Sequence, residues 1–142
     1  MSPIHDWNLD HFPFRVTIGT RHTDLDIQKN INNVAIAEIF EEARTLYSLS
    51  RKLKSAFDPH RRFLETLAIL FGEDGRYPAP FDVGVGVRSL ATDSWTLRLL
   101  AVQNGKAVAG CDCLFRLVSD ERGVDLPDAL AGILRQDLLP EA

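Results

Sequence analysis

Residues 21–40 read RHTDLDIQKNINNVAIAEIF. Short polar side chains crowd the first half: Asp24, Asp26, Asn30, Asn32 and Asn33 all precede an apolar run. Asn and Asp favour turns and helix N-caps, because their side chains accept the N–H groups that a helix start leaves unpaired. One or two of them satisfy a cap, and this stretch holds more. In the run that follows, Ile31, Val34, Ala35, Ile36, Ala37, Ile39, Phe40 and Ala43 leave only a narrow polar stripe of Glu38, Glu41, Glu42 and Thr45. The pattern predicts a helix over 32–54, stopped before Pro59, that is apolar nearly all round and therefore buried.

The flanking segments say what buries it. HFPFRVTIG (11–19) and FDVGVGVRSL (81–90) alternate in polarity as strands do. SWTLRLLAV (94–102) and KAVAGCDCLFRLVS (106–119) read as strands joined at Asn104-Gly105, a hairpin turn signal. RRFLETLAILF (61–71) fits either period. LPDALAGILRQDLL (126–139) predicts a short helix with Pro127 in its first turn. The order is strand, long helix, successive strands, terminal helix. Because helices and strands do not alternate, the expected class is an antiparallel α+β domain with a sheet wrapped around one helix. A chain of 142 residues fits a single domain, 1–142.

Composition narrows the function. A net charge of -4 with no basic block argues against a nucleic-acid partner. No apolar run approaches the roughly 20 residues that span a bilayer. The first residues lack a charged and then apolar leader pattern, so the expected location is the cytoplasm. Cys111 and Cys113 would share one strand face, where a disulfide is strained. They read as small core residues, and no clustered His or further Cys points to a metal.

Chemistry concentrates at the helix entrance. A helix N-terminus presents free N–H groups and a partial positive charge. Such groups polarise a carbonyl and stabilise the oxyanion of acyl transfer. A carboxylate held beside them, here Asp26, attacks that carbonyl or activates water.

At this point the stretch RHTDLDIQKNINNVAIAEIFEEAR resembles a known motif. Hotdog-fold acyl-CoA thioesterases of the 4-hydroxybenzoyl-CoA thioesterase type carry a pattern close to D-x-D-x-x-G-H-V-N-N, followed by a helix ending F-E-E-A-R. Asp24, Asp26, Asn32, Asn33 and Phe40-Glu41-Glu42-Ala43-Arg44 match it. Weaker matches follow at RYP (76–78), DS (93–94), NGKAVA (104–109) and LPDAL (126–130). The resemblance implies an antiparallel sheet of five or six strands around a long central helix. It implies a homodimer or homotetramer with sites between subunits. It assigns Asp26 as the catalytic carboxylate and the backbone N–H of Asn33 as the group facing the thioester carbonyl. Asn30 and Asn32 would position water or the loop, with Asp24, Arg88 and Ser94 about the substrate. The partner would be a small acyl thioester, with coenzyme A as part of the substrate and no other cofactor.

The chain departs from the pattern twice. Lys29-Asn30 stands where many members have Gly-His, and Asn is no general base near neutral pH. The turn before the SWTL strand reads LATDSW, without the basic cluster that holds coenzyme phosphates in the best-known branch. Arg88, Arg21, Arg61 and Arg62 are the nearby bases. Two other classes stay open. The first is a hotdog hydratase or dehydratase, which the missing His opposes. The second is a non-catalytic acyl-thioester binder, which the same departures keep alive.

Overall fold

The computed structural model describes residues 3–140. Its frame is a curled antiparallel sheet of β1 (Phe14–Ile18), β2 (Arg61–Phe71), β3 (Phe81–Leu90), β4 (Ser94–Gln103), β5 (Lys106–Ser119) and the short β6 (Arg122–Gly123). The strand order is β1-β3-β4-β5-β2, with β6 paired to β5. The Asn104-Gly105 turn joins β4 to β5 with both residues at positive φ. The expected strands are present, and 61–71 resolves as β2, the edge strand beside β5.

Helix α1 (Asn33–Arg51) lies across the concave face. Ala35, Ile36, Ile39, Phe40, Ala43 and Tyr47 are its buried side chains. They meet Val83, Val85 and Val87 of β3, Leu97 and Leu99 of β4, and Cys111, Cys113 and Phe115 of β5. Each large side chain fully buried there contributes about 1.5–3 kcal/mol. Trp95 stacks on Phe115 at 5.5 Å between ring centroids. Cys111 and Cys113 are free thiols in the core, with sulfurs 3.4 Å apart.

Three sequence expectations need correction. First, the helix ends at Arg51, because Lys52 turns left-handed at φ 55° and the short α2 (Leu53–Phe57) starts a new direction. Second, α1 is not buried all round: Val34 and Leu49 are each 69% exposed. The sheet covers one side of the helix only. Third, the terminal helix α3 spans Asp128–Gln136, and Pro127 is its N-cap residue.

The sequence also gave no sign of a second apolar layer, on the convex face. Residues 3–13 cross that face in two short 3-10 turns, and Ile4 and Phe12 bury themselves against Leu100 there. The glycines of the sheet make room for this. A Cβ on Gly110 would stand 2.4 Å from the Trp7 ring, one on Gly84 2.7 Å from Phe12, and one on Gly86 2.5 Å from Leu139.

After α3 the chain returns to β3, where the Val87 N–H donates to the Asp137 carbonyl at 2.8 Å. The Asp137 carboxylate accepts from the Tyr47 hydroxyl and from Arg51 Nε, each at 2.7 Å. This buried junction ties both helices to the sheet. Burial, and then the bond to Asp137, pushes the Tyr47 phenol well above its ordinary range. Among the described residues, no helix is long and apolar enough to cross a membrane.

Candidate active site

Backbone geometry at the α1 entrance follows from the polar stretch. Leu25 and Ile31 bridge antiparallel across a tight loop. Asp26 organises it: its Oδ1 accepts the N–H of Gln28 at 2.8 Å and of Asn30 at 3.1 Å, while its own N–H donates to the Asn30 carbonyl at 2.8 Å. Lys29 takes φ 66°, so the position keeps the left-handed backbone that suits glycine. The Ile31 N–H donates to the Gly75 carbonyl at 3.0 Å, fixing the loop to the segment that leads into β3.

Asn32 is the N-cap, its Oδ1 accepting the Ala35 N–H at 2.8 Å. Asn33 follows as the first helical residue, with its side chain exposed. The N–H groups of Asn33 and Val34 belong to the unpaired first turn, and neither has an acceptor among the described residues. Asp26 Oδ2 likewise has no hydrogen-bond partner among them. Asp26, Asn32, Asn33, Val34, Thr23 and Glu38 line one open cleft of about 410 Å³. The residues that carry the unpaired carboxylate oxygen and the unpaired helix N–H groups therefore line the same cleft.

The structure sorts the remaining candidates. Asn30 sits in the loop, its backbone spent on Asp26. Asp24 is 5% exposed and accepts from the Arg21 N–H at 2.9 Å and Arg21 Nη2 at 2.8 Å. Burial raises its pKa, but the Arg21 hydrogen bonds and charge outweigh this and hold the carboxyl below its ordinary range. Asp24 thus braces the loop from behind, where its carbonyl also takes the Asn32 N–H at 2.8 Å.

Arg88 and Ser94 are not brought to this cleft. Arg88 lies on the convex face and pairs with Asp112 at 2.7 Å. Ser94 is buried at the start of β4, opposite Arg116 of β5. That end of the sheet is about 30 Å along the strands from the Phe81 end, where the loop anchors. Of the four nearby bases, Arg21 is the one the cleft holds. Arg21 Nη2 reaches Glu38 at 3.5 Å as well as Asp24, and it stands on the rim.

Similar solved structures share this architecture. The PA5185 protein of Pseudomonas aeruginosa superposes with a TM-score of 0.81 at 20% identity, over 94% of this chain and 96% of that one. A predicted thioesterase from Bacillus stearothermophilus gives 0.80 at 20% identity, over 91% and 98%. This is the hotdog fold. A thioesterase from Thermus thermophilus, solved with coenzyme A and zinc, shares the fold at a TM-score of 0.78 and 23% identity, over 89% and 95%. No family model matches this hotdog chain. No curated protein matches it either. Among its described residues, no three His, Cys, Asp or Glu side chains are grouped to hold a metal.

Proposed function

We propose that this hotdog protein is an acyl thioesterase, cleaving an acyl-CoA to a free acid and coenzyme A. One observation carries the reading: Asp26, with an unpaired Oδ2, and Asn33, with an unpaired N–H, line a single cleft at a helix entrance. With the thioester carbonyl oxygen at the Asn33 N–H, Asp26 either adds to the carbonyl carbon or takes a proton from an attacking water. The tetrahedral oxyanion is held by the helix N–H groups. Its collapse breaks the C–S bond, and the departing thiolate takes up the proton that Asp26 accepted from water, or one from solvent where Asp26 itself was the nucleophile. If Asp26 was the nucleophile, water then hydrolyses the acyl-Asp26 anhydride to the same acid.

The reading includes a second copy of the chain. Edge strand β2 presents an unpaired row of backbone groups, with Phe63 46% and Leu70 39% exposed on its outward face. Pairing with the same edge of another copy satisfies those groups and covers that surface.

A second reading, an acyl-thioester binder without turnover, draws on one observation. Asp26 already serves the loop through Oδ1, a structural use that would preserve the residue without chemistry. The test is thiol release across an acyl-CoA panel for the native protein and Asp26→Asn. Asn keeps the Oδ1 acceptor, so the loop is expected to hold. Turnover by the native protein that falls about a hundredfold or more in the variant supports the enzyme reading. A thermal shift with acyl-CoA and no thiol release supports the binder.

A further inference from the structure

Two arginines meet between α1 and the sheet edge without a carboxylate. Arg44 of α1 directs Nη1 to the Cys113 sulfur at 3.7 Å. Arg62 of β2 lies over the Phe115 ring, 4.9 Å from its centroid, with Nη1 3.5 Å from Ser48 Oγ. Cys113 and Phe115 are successive inward positions on β5, and Ser48 lies one helical turn beyond Arg44. The two guanidiniums therefore share one notch. Arg21, Arg51, Arg88, Arg98 and Arg116 each meet a carboxylate oxygen at 2.7–2.9 Å. Arg44 and Arg62 meet none among the described residues, and both are half-buried. A thiol and a hydroxyl leave most of their ten N–H donors open. Holding two like charges together out of water is costly until an anion joins them. Burial and the neighbouring Arg44 charge pull the Arg62 guanidinium below its ordinary range.

An apolar strip connects this notch to the cleft. Register with β5 puts Leu64, Leu67, Ile69 and Phe71 on the same inward face of β2 as Arg62. The helix does not cover them: Leu64, Leu67 and Phe71 are 37–45% exposed. The strip runs toward the segment where Gly75 binds Ile31, just before the α1 entrance. From Asn33 to Arg44 the helix rises about 16 Å. That is the reach of roughly a dozen extended single bonds.

Resting on the thioesterase reading, we propose that this notch takes the distal carboxylate of an ω-carboxyacyl chain whose thioester lies at Asn33 and whose methylenes lie along β2. The substrate class is then a thioester of a medium-chain dicarboxylic acid. Edge pairing of β2 uses backbone groups in the plane of the sheet and leaves this inward face to the chain.

The test compares thiol release from the mono-CoA thioester of dodecanedioic acid with that from dodecanoyl-CoA. The native protein is expected to favour the carboxylated substrate in kcat/KM by about tenfold or more. Arg62→Gln and Arg44→Gln are each expected to bring that ratio close to one, and Arg62→Lys to retain part of it. A native ratio of one or below, or a ratio unmoved by both Gln variants, overturns the proposal.

If no thioester is turned over, it is the thioesterase reading that fails, and free dodecanedioic acid then decides the notch. Thermal stabilisation by it, exceeding that by dodecanoic acid and lost in Arg62→Gln, identifies a carboxylate site that serves a free acid. No such difference overturns the notch as well.

Discussion

Asn33 contributes a backbone group, and a substitution can remove that group alone. It is the first helical residue, where proline is well accepted, and Asn32 before it holds φ -74° and ψ 161°, the extended conformation that proline requires of its predecessor. Asn33→Pro is therefore expected to keep the melting temperature within a few degrees and to lower thiol release about a hundredfold. Asn33→Ala, which keeps the N–H, is expected to stay within a few-fold of the native rate. Equal losses in the two variants would instead place the function in the side chain. Asp26, Asn32 and Asn33 were legible in the sequence because a helix start is a local structure, built by residues adjacent in the chain. Arg88 and Ser94 were not. Their surroundings depend on sheet face and strand end, which pairing across the whole sheet decides. The Arg44 and Arg62 notch was equally hidden. Arg44 stood out as the end of the Phe40–Arg44 motif match, and only the register of β2 on β5 brings Arg62 beside it.

Among the elements, β2 was ambiguous because both of its faces carry apolar residues, so neither period stands out. Its length and its pairing along β5 settle it. The burial of α1 was overread for a related reason: apolar residues such as Val34 and Leu49 face away from the sheet. The segment over residues 3–13 left only a faint signature, the small residues Gly84, Gly86 and Gly110 within strands. Gly110 tests its importance. A valine there drives Cβ into the Trp7 ring, and Gly110→Val is expected to cost about 1–3 kcal/mol in urea unfolding followed by circular dichroism. Trp7→Ala is expected to cost stability alone, yet to recover much of the loss when combined with Gly110→Val. Strictly additive losses would mean that the strap does not press on the sheet. Arg98 makes a second clasp on this segment, its guanidinium 3.9 Å from the centroid of the Trp7 ring.

For the whole molecule, the unpaired β2 edge makes assembly the central question. An exposed apolar edge strand is a liability unless something covers it. Sedimentation velocity is expected to find a dimer at micromolar concentration. Phe63 and Leu70 lie on the outward face of β2, clear of the inward strip, and are 46% and 39% exposed. Charging them with Phe63→Lys and Leu70→Lys is expected to weaken the dimer about tenfold or more, because each charge would be covered without a partner. A native monomer at high concentration, with β2 amides exchanging freely, would refute edge pairing.

The strap over the convex face bears on how far assembly can go. A curled sheet with a helix in its hollow offers neighbours three directions of growth: sideways along its edge, frontally over the helix, and dorsally over its back. In this chain Ile4, Trp7, Phe12 and Leu139 already occupy much of the back, seated where the glycines leave space. Dorsal stacking would have to peel that layer away first, so larger particles of this protein would grow through the helix side.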